Sequence, residues 1–169
     1  TSIMPRSFLP LFCQYIESPE CNLETYECRD RESIDDYAVI KITESLMINK
    51  SIRTLSLRMQ RDTPEPLYAR YLAFAECLNV NNTLLYLDLS GNNIGTGEME
   101  RLAKGLGSNC SLLELGLSHT YITGDGLAVL VDSLKSNSNI RILDLSSNNF
   151  DTPSMHGIKI LSEYLETNN

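Results

Sequence analysis

The residues best suited to chemistry in this sequence are five cysteines and two histidines. The cysteines are Cys13, Cys21, Cys28, Cys77 and Cys110. No Cys-x-x-Cys pair occurs, which argues against a zinc site, and the chain has enough apolar residues to build a core without disulfides. His119 and His156 have no partner at metal-ligand spacing. We therefore expect reduced thiols with Cys28 buried, surface histidines and a cytoplasmic protein.

Phosphate-binding chemistry is poorly supported as well. Gly95-Thr96-Gly97 and Gly124-Asp125-Gly126 are glycine-rich, but neither is followed by the Lys-Ser/Thr that a phosphate-binding loop needs. Both read better as turns between a strand and a helix. The sequence therefore predicts a protein that is not an enzyme, with no cofactor, no metal and no small-molecule substrate.

The charge of the chain narrows the choice of partner. The 169 residues carry 22 acidic and 14 basic side chains, a net charge of −8 with the histidines neutral. No Lys/Arg cluster supplies the basic surface that a duplex nucleic acid or an anionic membrane requires, so we expect neither as a partner. No apolar run approaches the roughly 20 residues of a membrane-spanning helix.

An internal repeat runs through the chain and indicates its fold. Segments 84–94, 112–122 and 140–150 all read L-x-x-L-x-L-x-x-N/T-x-φ, where φ is apolar and Ile replaces the first Leu in the third segment. Weaker copies begin at Leu23 and Ile52, so first positions fall at 23, 52, 84, 112 and 140. This pattern is the leucine-rich repeat signature, and a period of 28–29 residues is typical of its helix-containing class.

The second half of each repeat has the spacing of a helix. Leu102-Ala103 and Leu106 form an apolar stripe, and Asn109 follows three residues later. Asparagines in the same position are Asn49, Asn81, Asn137 and Asn168. Because Asn tolerates the left-handed conformation, we expect it to cap the end of each helix.

The repeats predict an α/β leucine-rich repeat solenoid, a fragment of a right-handed horseshoe. Its concave face holds five parallel strands, near 24–28, 53–57, 85–89, 113–117 and 141–145. Its convex face holds six helices, near 8–16, 37–48, 66–79, 97–108, 125–136 and 156–167, the second capped by Asp35-Asp36. One unit cannot bury both its faces, so neighbouring units must stack.

We interpret residues 1–169 as a single domain and expect it to be a piece of a longer protein. The divisions are an N-terminal helical cap over 1–22, five strand units over 23–150, and a closing helix over 151–169. Two strand-to-helix loops, 60–66 and 151–156, are longer than the others. They are either tolerated surface variation or a rim that meets a partner.

Three N-glycosylation sequons begin at Asn49, Asn81 and Asn109. Taken alone they would indicate a secreted protein. All three asparagines occupy the same position at the end of a predicted helix, however, so we interpret them as structural residues.

Side chains between the core positions of the strands point out of the concave face, which is either an ordinary solvated surface or a binding site. Tyr86 and Ile142 have no structural reason to be apolar there, and acidic neighbours favour a partner with a basic patch. The candidate binding residues are Thr54, Ser56, Arg58, Tyr86, Asp88, Glu114, Ile142 and Asp144.

The repeat resembles the ribonuclease-inhibitor type of leucine-rich repeat family, which includes Ran GTPase-activating proteins, nucleotide-sensing innate receptors and tropomodulins. The segment 78–84, Leu-Asn-Val-Asn-Asn-Thr-Leu, is similar to the C-terminal domains of tropomodulin and leiomodin. The long loop at 60–66 and the missing basic tail depart from them. The resemblance implies a non-enzymatic protein-protein interaction module. Alternatives are an actin pointed-end capping or nucleating domain and a Ran-type GTPase activator.

Overall fold

The structure is a computed structural model that describes residues 7–28, 35–58, 68–150 and 155–167. Strands and helices alternate along this part of the chain. The strands are β1 Thr25–Cys28, β2 Thr54–Leu57, β3 Tyr86–Asp88, β4 Glu114–Gly116 and β5 Ile142–Asp144. The helices are α1 Leu9–Glu17, α2 Asp36–Leu46, α3 Tyr68–Val80, α4 Thr96–Ser108, α5 Gly124–Leu134 and α6 His156–Thr167.

The strands form one parallel sheet in the order β1-β2-β3-β4-β5, and each helix packs against the next one along the chain. This arrangement confirms the predicted α/β leucine-rich repeat fold, with five parallel strands and six helices in the described residues. The loop at 60–66, most of the loop at 151–156 and Asn168 lie outside those residues.

The core lies between the sheet and the helices. The middle residues of the central strands, Leu55, Leu87 and Leu115, are almost completely buried. The helix stripes close over them, as Leu102 and Leu106 of α4 do. Burying such side chains stabilises the fold by about 1.5–3 kcal/mol each. Since successive strand residues alternate between faces, the neighbours of these leucines are directed to the face turned away from the helices, the open face.

The strands are paired without any slip in register. Thr25, Thr54, Tyr86, Glu114 and Ile142 lie side by side across the five strands. A slip of one residue would exchange the buried and the open face, so the leucines fix this alignment. Side chains at equivalent strand positions therefore form continuous rows across the open face.

Two helices begin at side-chain caps. The Asp35 carboxylate accepts a hydrogen bond from the Ala38 backbone N–H at 2.9 Å, which confirms the predicted cap of α2. The Thr123 hydroxyl accepts one from the Gly126 N–H at 3.4 Å at the start of α5. Each cap satisfies a backbone donor that the helix itself leaves unpaired.

The prediction that asparagine ends each helix in a left-handed conformation is wrong for the four described residues, Asn49, Asn81, Asn109 and Asn137, none of which has a positive φ. Asn109, at the end of α4, is extended, with φ −70° and ψ 133°. Four asparagine side chains instead join neighbouring units. Each Nδ2 donates to a backbone carbonyl of the preceding helix end, over 2.6–2.8 Å. These asparagine-ladder residues and their acceptors are Asn49 with Ile16, Asn81 with Leu46, Asn109 with Leu78 and Asn137 with Leu106.

The same side chains also hold the chain that leads into the next strand. The Oδ1 of Asn81 accepts hydrogen bonds from the N–H groups of Thr83 and Leu84, and the other three bond in the same pattern. One side-chain amide thus donates a hydrogen bond to one unit and accepts hydrogen bonds from the next. The backbone groups that it pairs are buried, and leaving them unpaired would be costly. All four asparagines are buried. This supports the structural interpretation of the three sequons.

A second set of polar residues pairs backbone groups in the turns after the strands, at the N/T position of the repeat pattern. Asn92 donates to the carbonyls of Leu57 and Leu89 at 2.8 and 2.6 Å. Thr120 and Asn148 both donate to the carbonyl of Leu117, each over 2.7 Å. This repeat position therefore satisfies buried carbonyl groups in the turn that follows each of these strands.

Burial falls off in the last unit. Leu143 and Leu145 are half-buried, whereas the equivalent Leu115 and Leu117 are almost fully buried. Within the described chain β5 is an edge strand, so only one side of it has a neighbour. As to membranes, none of the helices described is both long and apolar enough to span a bilayer.

Candidate protein-binding face

The middle of the open face carries an aromatic, an acidic and an aliphatic residue on three neighbouring strands. Tyr86 of β3 and Glu114 of β4 are half-buried, and Ile142 of β5 is 55% exposed. Thr54 of β2 is half-buried beside Tyr86. The parallel ladder positions these side chains about 4.8 Å apart from strand to strand.

Two of the candidate binding residues are buried, which corrects the expectation that they point into solvent. Ser56 and Asp88 are only 1% and 4% exposed. The Asp88 carboxylate accepts hydrogen bonds from the Ser56 hydroxyl at 3.2 Å and from the Ser90 N–H at 2.9 Å. Asp88 thus lies along the sheet and connects β2 to β3.

The burial of Asp88 depends on a glycine in the next strand. Gly116 of β4 pairs with Asp88, and a Cβ atom placed on it would come within 2.7 Å of the Asp88 Oδ1 atom. Any side chain at position 116 would therefore collide with the carboxylate. The repeat pattern leaves this outward position free to vary, so the sequence alone did not single out Gly116.

An open cavity of about 180 Å³ lies on the sheet and includes Gly116 in its lining, and we call it the Gly116 cavity. Six of the eight candidate residues line it, while Thr54 and Ser56 lie outside. The lining consists of Arg58, Tyr86, Asp88, Ser90, Glu114, Leu115, Gly116, Ile142 and Asp144.

The charges around the Gly116 cavity do not balance. It has three carboxylates, on Asp88, Glu114 and Asp144, and a single guanidinium, on Arg58. The Arg58 Nε atom lies 3.5 Å from the Asp88 Oδ2 atom, and its side chain is 41% exposed. The excess of negative charge therefore lies toward β4 and β5.

Asp144 is exposed and stays ionised readily. A hydrogen bond from the Ser146 hydroxyl and a second one from the Ser146 N–H, at 2.9 Å, lower the pKa of its carboxyl below the usual value. The nearby Arg58 and His119 side chains also act to lower this pKa. The Asp144 carboxyl is therefore ionised at neutral pH and places a negative charge at the β5 side of the cavity.

None of the cysteines and neither histidine lines the Gly116 cavity. Cys21, Cys28 and Cys77 are buried, which confirms the prediction for Cys28, and burial raises the pKa of the Cys77 thiol to about 12. The two histidines, His119 and His156, are exposed as predicted. In the part of the chain that the structure describes, no three His, Cys, Asp or Glu side chains are grouped so as to hold a metal ion.

Known structures share the whole fold. A leiomodin-1 structure titled actin-binding site 2 has a TM-score of 0.69 and 21% identity, and the match covers 96% of this chain and 92% of that one. The tropomodulin C-terminal domain from Caenorhabditis elegans has a TM-score of 0.73 and 13% identity, covering 94% and 91%. The predicted resemblance to these two domains is thus confirmed at the level of the fold.

Sequence comparisons point to the same repeats. A family model described as leucine-rich repeat matches residues 80–100 and 136–155. Mouse NACHT, LRR and PYD domains-containing protein 12 is 32% identical over 117 residues, which is 68% of this chain and 11% of that protein. The chain spans about a tenth of the length of such curated relatives. It is therefore built of leucine-rich repeats, a fold suited to protein-protein interaction.

Proposed function

We propose that this chain is a non-enzymatic module that binds a protein partner through the open face of its sheet. The observation that carries the proposal is the Gly116 cavity, where the exposed Ile142 and the half-buried Tyr86 lie beside excess negative charge. Ile142 is directed away from the core, so its apolar side chain is not needed for folding. Repeat solenoids commonly bind partners on such extended surfaces. A cytoplasmic location, with the thiols reduced, belongs to the same proposal.

The test compares binding to the open face with binding to the helical face. The full-length gene product carries either Tyr86→Ala with Ile142→Ser, or Lys104→Ala on α4, and bound proteins are captured and quantified. Because binding energy concentrates in a few central anchors, we expect the double variant to lose a partner by roughly 30-fold, about 2 kcal/mol, and Lys104→Ala to keep it. Equal capture by both variants, with both folded, would show that the open face is not the binding site.

Asp88 is a candidate binding residue, but the test does not change it. Replacing Asp88 with lysine would place a positive charge among the buried Ser56 and Ser90 groups, so the variant would lose stability as well as binding. Tyr86 and Ile142 are more exposed than Asp88. Replacing them should therefore reduce binding without unfolding the protein.

Actin binding is the second candidate, and the fold match to the leiomodin-1 actin-binding site 2 over 96% of the chain favours it. Co-sedimentation with actin filaments and pointed-end elongation assays test this proposal. We expect the chain to pellet with filaments or to slow or nucleate growth, and the absence of both effects at saturating concentration would exclude it. The Ran-type GTPase activator stays a prediction, which a GTP hydrolysis assay with small GTPases tests.

A further inference from the structure

The Gly116 cavity has a shape and a charge that select one kind of side chain. Gly116 forms its floor, with Asp88 paired on one side and Asp144 on the other. With strands spaced about 4.8 Å apart, these two acidic residues flank an opening of roughly 10 Å. Tyr86 and Ile142 supply an aromatic and an aliphatic wall. The cavity can therefore accept a long side chain with an apolar stem and a cationic end.

Only some of the carboxylates in the cavity are paired with other groups of the protein itself. Arg58 and Ser56 already pair with Asp88, and the charge of Arg58 also acts on Asp144. Glu114 is half-buried, and no side-chain hydrogen bond or ion pair joins its carboxylate to another described residue. Asp144 is ionised well below neutral pH. A half-buried carboxylate gains more from a cationic partner than a fully solvated one.

Resting on the proposed function, we propose that the Gly116 cavity receives an arginine side chain of the partner protein. The planar guanidinium stacks on the Tyr86 ring and donates hydrogen bonds to the carboxylates of Glu114 and Asp144. Arginine fits this role better than lysine because its flat, delocalised cation both stacks on aromatic rings and binds carboxylates in pairs.

The direct test titrates this chain with N-acetyl-arginine amide and follows backbone amides by NMR. N-acetyl-citrulline amide, which has the same shape without the charge, is the matched control, and N-acetyl-lysine amide is the alternative cation. We expect shifts in residues 86–90, 114–118 and 142–146, with arginine at least about tenfold stronger than citrulline. Binding should weaken with added salt, since the charges are partly exposed.

Two variants test the cavity itself. Gly116→Ala fills its floor, and Glu114→Gln removes a charge while keeping the size of the side chain. The matched control is Gly95→Ala, where the new Cβ would meet only the end of the flexible Glu98 side chain. We expect both cavity variants to abolish the arginine-specific shifts and the control to keep them. If Gly116→Ala fails to fold, the Glu114→Gln variant still tests the proposed arginine site, because residue 114 is partly exposed.

Three results would overturn the assignment: equal binding of citrulline, stronger binding of lysine, or unchanged arginine binding by Glu114→Gln. The outcome is separable from that of the proposed function. If the arginine probe fails while Tyr86→Ala with Ile142→Ser still loses a partner, the open face binds a partner of other chemistry. If the probe binds but no partner depends on the open face, the proposed function fails instead.

Discussion

Asn81 shows how one side chain can join two repeats. Its Nδ2 atom lies 2.6 Å from the Leu46 carbonyl oxygen, and its Oδ1 atom accepts hydrogen bonds from two N–H groups. We expect Asn81→Asp to destabilise the fold by about 3 kcal/mol or more, because a carboxylate would face a carbonyl oxygen in a buried site. Urea denaturation at neutral pH measures the change.

The neighbouring Asn82 is the control for this prediction, because it is exposed and adjacent in sequence. Asn82→Asp should change the free energy of unfolding by less than about 0.5 kcal/mol, as surface substitutions usually do. A similar loss in both variants would contradict the role assigned to the asparagine ladder.

Asp144 gives a prediction about pH. A carboxyl whose pKa is lowered in the folded state stabilises the fold above the unfolded pKa, and this contribution is lost as the pH falls through the folded pKa. Ser146→Ala removes the hydroxyl, the largest cause of the lowering. We expect the pKa of Asp144 to rise toward its usual value, as measured by NMR titration of the side-chain carboxyl.

The exposed Ser138 provides the comparison for this titration. Ser138→Ala should leave the pKa of Asp144 unchanged. An unchanged pKa in Ser146→Ala would mean that the backbone N–H alone accounts for the shift.

Residue by residue, the sequence predicts which positions share the open face but not how exposed they are. The register of Tyr86, Glu114 and Ile142 follows from the repeat pattern. The burial of Asp88 does not, because it depends on the missing side chain of Gly116 in another strand. An outward glycine in an otherwise regular strand was the available signal.

At the scale of elements, two glycines in α4 differ in what surrounds them. A Cβ atom on Gly105 would lie 2.6 Å from the Ala75 Cα and O atoms of α3, whereas one on Gly107 would meet the Ser133 O atom at 3.3 Å. We expect Gly105→Ala to destabilise the fold by roughly 1–3 kcal/mol, since the two helices would have to separate. Thermal and urea denaturation measure this.

Gly107→Ala is the matched variant in the same helix. The gain in helix propensity, up to about 1 kcal/mol, opposes the mild crowding, so we expect little net change. If both variants lost equal stability, close packing of α3 on α4 would not be the reason.

The elements themselves were largely predictable, and their ends less so. The strands and helices fall within a few residues of their expected ranges because the apolar spacing is regular. The helix ends were misjudged, since local propensity favoured a left-handed Asn109. The carbonyl that its side chain binds belongs to Leu78, in a different unit, and no local pattern reveals it.

For the whole molecule, stability should differ between central and last units. Leu115 is buried between two neighbouring units, and the equivalent Leu143 of β5 is half-buried. We expect Leu115→Ala to cost about 2–5 kcal/mol and Leu143→Ala roughly 1–2 kcal/mol, because less apolar surface is lost at the edge. Urea denaturation of both variants tests this, and equal losses would contradict the observed difference in burial.

The asparagine ladder also determines how the molecule would respond to a pulling force. Each unit is held to the one before it by a buried side chain, by strand pairing and by helix packing, and in the described sheet β1 and β5 each have a neighbour on one side only. Under tension, the described units should therefore detach one at a time, starting from an edge of the sheet, rather than all together. The first positions of successive units, Leu112 and Ile140, are 28 residues apart. Each detachment would therefore lengthen the chain by roughly 90–100 Å. A stretched molecule would extend in discrete steps of this size, and each step would dissipate part of the mechanical work.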